Sequence, residues 1–225
     1  DHAEVLWLRD ASHPEEPLAD RVETMVRQLL MERLVWLERD LINMVYARFP
    51  GVLTPLLELV QACIRSYGIQ EGVEVRLRPE DDPERRRRQV EALREHLLVL
   101  GRRLGYRPAG GVTWDVRWLD DGQEAYLFAI SVTGKAAVHL LRRQVPPSGP
   151  RRCLVVPGGR SELINLKLRW DPRLAQASRV GQWQFLKYRH LRRLVSEEGL
   201  DRRLFEAVLS LDPIAEREHQ QLRLL

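Results

Sequence analysis

The sequence predicts a mixed α+β or α/β protein, with a helical N-terminal module followed by a larger domain in which strands and helices alternate. Three observations carry this. Apolar residues recur every three or four positions through residues 18–66, the period of amphipathic helices. Residues 84–104 repeat that pattern over about six turns. Downstream, the two-residue alternation of 112–118 and the unbroken apolar run Cys153-Leu154-Val155-Val156 are strand patterns, and helical stretches separate them.

Taken in order, residues 1–17 read as a strand, Ala3-Glu4-Val5-Leu6-Trp7-Leu8-Arg9, and a proline-containing linker, both belonging to an upstream part of a longer chain. Residues 18–37 place Val22, Met25, Val26, Leu29, Leu30, Leu34 and Leu37 on one helix face, with Asp20 as cap and Glu23 three residues on. A second helix over 38–48 stops at Phe49-Pro50-Gly51. Thr54 caps a third with Pro55 at its first position, running to Ser66, and residues 73–78 alternate as a strand. Three short helices followed by a strand resemble a winged helix. That resemblance implies a third helix in the major groove, offering Glu58, Gln61 and Arg65, and a wing carrying Arg76 and Arg78. A helical module that packs against a partner protein is the alternative of equal weight.

Pro79-Glu80-Asp81-Asp82-Pro83 divides the chain into a module at 18–80 and a domain at 81–225. Val90, Leu93, Leu97, Leu100 and Leu104 form the apolar stripe of the long helix, and Arg85-Arg86-Arg87-Arg88 crosses its first turns. Four cations there oppose the helix dipole, so Asp81, Asp82 and Glu84 are expected to neutralise them. The strand at 112–118 puts Trp114, Val116 and Trp118 on one face and Thr113, Asp115 and Arg117 on the other. Asp120-Asp121-Gly122 signals a hairpin, and 124–132 returns as the second strand. A helix at 134–143, a buried strand at 152–156, a helix at 160–168, a strand at 182–186 and helices at 188–195 and 201–209 follow. Pro157-Gly158-Gly159 reads as an ordinary connection or as an anion site on backbone amides.

Composition bounds the function. The 225 residues, 44% of them hydrophobic, suffice for one large or two small cores. No apolar run approaches the roughly 20 residues of a membrane span, and no signal peptide is evident, so a cytoplasmic location is expected. Cys63 and Cys153 have apolar neighbours and read as buried thiols; the six histidines lack zinc spacing. No nucleophile elbow, Walker loop or dinucleotide fingerprint occurs. The net charge of +4 is uneven: residues 142–193 hold 13 Lys and Arg against Glu162 and Asp171 alone. Such a field favours a polyanion.

The order α-β-β-α-β-α-β over 84–195 resembles the restriction-endonuclease-like superfamily, whose site is Asp…(Asp/Glu)-x-Lys. Asp115 matches the first acid, but Ala129 and Ser131 stand where Glu-x-Lys would fall. Magnesium chemistry of that kind needs carboxylates from both strands and a neighbouring lysine. A migrated site would have to draw on Glu95, Glu124 and Lys135. The stretches Tyr46-Ala47-Arg48-Phe49-Pro50-Gly51-Val52-Leu53-Thr54-Pro55, Leu77-Arg78-Pro79-Glu80-Asp81, Leu100-Gly101-Arg102-Arg103-Leu104-Gly105-Tyr106 and Trp114-Asp115 also resemble C-terminal accessory regions of bacterial DNA methylases and of restriction or phage-defence proteins. That implies a catalytic portion upstream or on another subunit.

The expectation is a double-stranded DNA-binding accessory region with a degenerate nuclease-like domain, no cofactor, and no membrane contact. Its expected phosphate contacts are Arg142, Arg143, Arg151, Arg152, Arg160, Lys167, Arg169, Lys187, Arg189, Arg192 and Arg193, joined by Arg65, Arg76 and Arg78. The alternatives are a protein–protein interaction domain and an active magnesium-dependent endonuclease.

Overall fold

A computed structural model describes residues 16–141 and 149–211. The strand expected at 3–9, most of the linker after it, and Arg142 and Arg143 lie outside the described residues. The first elements are α1 (Leu18–Glu32), β1 (Trp36–Leu37), α2 (Glu38–Arg48), α3 (Leu57–Tyr67), β2 (Gly68–Glu71) and β3 (Glu74–Leu77). The three strands form an antiparallel sheet in the order β1-β3-β2.

Helix α1 is five residues shorter than the apolar spacing predicted. Its chain turns extended at Arg33 because the buried anchor is Trp36, whose indole donates to the Leu29 carbonyl at 2.7 Å. Leu34 and Leu37, counted on the helix face, are exposed instead. Asp20 is not a cap: Pro17 holds that position, and Asp20 and Glu23 lie buried one turn further in. Thr54 closes a short 3-10 turn at Gly51–Leu53 by bonding the Gly51 carbonyl, so α3 begins two residues later than predicted.

The second part comprises α4 (Pro83–Arg103), β4 (Arg107–Gly110), β5 (Val116–Asp120), β6 (Gln123–Ile130), α5 (Ala137–Leu140), β7 (Arg151–Val156), α6 (Ser161–Trp170), α7 (Pro172–Val180), β8 (Trp183–Lys187), α8 (Tyr188–Ser196) and α9 (Arg202–Leu211). The sheet runs in chain order, β4-β5-β6-β7-β8, with the first three strands antiparallel and the last three parallel. Strand β4 and helix α7 were not predicted, and the residues before Val116 form an irregular lead-in rather than strand. The hairpin turn is as expected, with both Asp121 and Gly122 at positive φ as a two-residue turn of this hand requires.

Side-chain alternation divides the sheet into two faces. Val116, Trp118, Tyr126, Phe128, Ile130 and Val155 meet α4, α8 and α9, while Leu127, Ala129, Leu154, Val156 and Phe185 meet α5, α6 and α7. Trp118 is fully buried and its indole donates to Leu97 at 2.9 Å. Gly101 makes room for it: a Cβ there would stand 2.6 Å from the indole nitrogen.

The two parts share buried contacts. Leu163 and Leu166 of α6 pack into the core of the N-terminal helices. Lys167, almost wholly buried, donates to Asp20 at 2.6 Å, to Glu23 and to the Gly134 carbonyl at 3.2 Å. Glu23 also accepts from the Tyr67 hydroxyl and, at 2.5 Å, from the Gly134 amide. Burial pushes the Glu23 carboxyl up, but Lys167, Tyr67 and Gly134 outweigh it and hold the group below its ordinary value. Asp20 accepts fewer bonds, and there burial wins and raises it. A second cluster joins Asp81 to Arg86 at 2.7 Å and to Arg160, whose guanidinium stacks 3.5 Å from the Tyr67 ring centroid.

Candidate nucleic-acid interface

Asp115 precedes β5 and is held from both sides. One oxygen accepts the Ile130 amide at 2.8 Å and the other accepts Arg94 of α4 at 3.0 Å. Ala129 is fully buried against the α5–α7 layer and has no ligating atom. Ser131 is buried, donates to the Thr133 carbonyl at 2.9 Å and accepts Tyr188 on its own carbonyl at 2.7 Å.

The migrated alternatives do not assemble. Register pairs Leu119 with Glu124 and Val116 with Phe128, so Glu124 sits at the far end of the hairpin from Asp115 and bonds Arg117 at 3.4 Å. Asp115 and Glu124 therefore do not meet across the strands, because the hairpin separates them. Glu95 points to Arg102 at 3.5 Å, and Lys135 is paired with Glu16 at 2.8 Å. Among the described residues no three His, Cys, Asp or Glu side chains converge. These residues do not fit magnesium of the two-carboxylate kind, because a guanidinium stands against the one acid retained.

The basic residues scatter more than their numbering suggests. Arg152, Arg160, Lys167 and Lys187 are buried, which removes them from the expected phosphate contacts. Arg152 donates to the Gly181 carbonyl at 2.7 Å, and Lys167 and Arg160 serve the clusters between the two parts. Arg151 opens β7, at the opposite end of the parallel strands from Lys187, and pairs with Glu206 at 3.1 Å. Arg169 lies 3.9 Å from Glu58.

What remains gathers on two helices. Leu191, Leu194 and Tyr188 face the core, leaving Arg189, Arg192 and Arg193 exposed on α8. Spacings of three and four put Arg85, Arg88, Ala92, His96 and Arg103 in one row along α4. That row lies beside α8. Arg103 donates to the carbonyls of Val195 at 2.9 Å and Glu198 at 3.1 Å, and Arg86 sits 5.9 Å from the Tyr188 ring. Partial burial, followed by the charge of Arg192, holds the His96 imidazole below its ordinary value. The two helices are thus parallel, with their N-termini at the same end.

Arg85, Arg87 and Arg88 were expected to be neutralised locally, and this is corrected. Asp81 is spent on Arg86 and Arg160, and Asp82 caps the Arg85 amide at 3.0 Å. Among the described residues no carboxylate pairs with Arg85, Arg87, Arg88, Arg192 or Arg193. The signal for the missed pair, Arg85 and Arg88, was the run of four arginines at a helix N-terminus, where cations oppose the dipole.

Helix α3 exposes only a narrow strip. Glu58 approaches Arg169, Arg65 bonds Glu162 at 3.4 Å, and Gln61 is half-buried. Both charged ends of the expected reading face therefore lean on α6. On the β2–β3 hairpin, where a wing was expected, Arg76 pairs with Glu74 at 3.2 Å, and just beyond it Arg78 donates to the Arg65 carbonyl at 2.9 Å.

No protein-family model and no curated protein matches the chain. Two solved structures align with it, the restriction endonuclease FokI and FokI bound to DNA, each with a TM-score of 0.30. Identity is 8% and 9%, over 84% and 90% of this chain and 47% and 49% of theirs, so this chain spans about half the length of either.

Proposed function

We propose that this chain is a duplex-DNA-binding accessory region of a bacterial DNA-modification or defence protein, and that the α4–α8 arginine ridge grips the phosphates. The observation that carries the reading is that α4 and α8 pack side by side, Arg86 lying 5.9 Å from the Tyr188 ring and Arg103 bonding the Val195 carbonyl, while Arg85 and Arg88 on one helix and Arg189, Arg192 and Arg193 on the other are exposed. The N-terminal ends of both helices add partial positive charge at the same edge. A restriction-endonuclease-like core is supported by the element order from α4 to α8 and by the in-order mixed sheet. Cleavage is assigned to another portion or subunit, since Asp115 is engaged by Arg94 and the Ile130 amide.

The order α1-β1-α2-α3-β2-β3 with sheet order β1-β3-β2 supports the winged-helix reading of the first part. Its role here is to brace α6 rather than to read bases. A ridge making about five phosphate contacts weakens roughly 10²- to 10³-fold between 50 and 200 mM salt, with little sequence preference. Gel-shift measurement on random duplexes tests this; affinity that ignores salt contradicts it.

A second reading, docking of a partner subunit, is favoured by Leu34, Val35, Leu37 and Val73, which are exposed along edge strand β1. A dimer that persists in high salt and dissociates on Leu34→Ser with Val73→Ser supports that reading instead.

A further inference from the structure

One side chain on the seam between α4 and α8 differs in kind from the arginines around it. His96 lies in the α4 row that begins at Arg85, about two helical turns beyond Arg88. Leu93, Leu97 and Leu100 on its inner side are buried in the core, so the ring sits where the ridge meets the apolar interior. The charged groups acting on it are Arg192 from α8 and Glu95 from its own helix, and Glu95 leans toward Arg102 at 3.5 Å. Its Nδ1 is enclosed and makes no hydrogen bond among the described residues. The residue as a whole is half-buried, which leaves Nε2 as the nitrogen open to a ligand.

This setting favours the neutral ring. Burial first, and the Arg192 guanidinium second, hold the imidazole below its ordinary pKa of 6.5, while Glu95 opposes them and is outweighed. The cation would also carry a proton on Nδ1, where no acceptor waits. A phosphate docked on Arg192 changes the balance. It offsets the guanidinium's charge and gives Nε2–H an anionic acceptor, and such charge-assisted bonds are about twice as strong as neutral ones.

We propose that His96 is a proton-dependent phosphate contact of the ridge: as imidazolium it donates Nε2–H to the phosphate that Arg192 holds, and duplex binding takes up one proton from solvent. This rests on the ridge as the DNA-binding surface. Its arginines stay charged throughout the physiological pH range and grip constantly, whereas His96 adds its grip on acidification. Affinity therefore rises as pH falls through the window between the lowered pKa of the free protein and the higher one in the complex. Below that window both states are protonated and the dependence ends.

Fluorescence anisotropy of a labelled random-sequence duplex, at fixed ionic strength and from about pH 5 to 8, tests the contact. Wild-type affinity should climb on acidification, by at most about one power of ten per pH unit. His96→Gln should flatten that dependence, and His190→Gln, which alters the histidine of α8, should leave it in place. By NMR of the unaltered protein, the His96 ring should titrate at higher pH with duplex bound than without. In the free protein, Arg192→Gln should raise its midpoint. A pH dependence that survives in His96→Gln, or a His96 midpoint that the duplex does not raise, overturns the contact. Either result leaves the ridge intact where neutralising Arg88 and Arg192 still flattens the salt slope; no duplex binding at any pH overturns both.

Discussion

Lys167 illustrates how a side chain expected on the surface became part of the interior. Basic residues in a charge-rich stretch read alike in a sequence, because burial depends on partners far away in the chain. Here Asp20 and Glu23, read as helix-start chemistry, are those partners. Replacing Lys167 by Met leaves two carboxylates buried together, and urea denaturation is expected to show a loss of about 3–5 kcal/mol. Glu23 gives a pH dependence of known sign. Its folded pKa lies below the ordinary 4.5, so its stabilisation is present above that pH and is lost as pH falls toward the folded value. The stability difference between wild type and Glu23→Gln should accordingly shrink below about pH 4.5; a difference that grows on acidification contradicts the assignment. Asp115 is tied to Arg94 and the Ile130 amide, so Asp115→Asn should lower the melting temperature without changing plasmid nicking in magnesium.

The elements were legible where periodicity and packing agree. Helix α2 has its predicted bounds, and the cores of β6, β7, β8 and α8 fall within a residue or two of expectation. Misses came where a local pattern was overruled by a distant contact. Trp36 draws the chain out of helix, and β1, β2 and β4 are short edge or hairpin strands with little apolar alternation of their own. The ridge was half visible. Arg189, Arg192 and Arg193 followed from the sequence, but pairing them with Arg85 and Arg88 needs the side-by-side packing of α4 and α8. Arg103 fastens the end of α8 through backbone carbonyls. Arg103→Met should therefore speed hydrogen exchange of the last α8 amides more than those of α4, and equal protection in both proteins would argue against the clasp.

At the scale of the molecule, the two parts share a core and two buried charge clusters. The expected outcome of thermal unfolding is a single transition whose midpoint is the same by tryptophan fluorescence and by circular dichroism. The excess of positive charge along residues 142–193 proved a poor map of the surface, since folding buries four of those cations and ties others to acids. The proposed grip depends on a smaller set from two distant segments. The most direct test compares salt slopes of duplex binding. Neutralising Arg88 and Arg192 together should flatten the slope of log K against log salt by about 1.8, since each phosphate contact contributes about 0.9. Neutralising Arg151 and Arg169, equally basic but off the ridge, should leave the slope unchanged. Equal flattening by both pairs, or none by the first, would contradict the ridge as the DNA-binding surface.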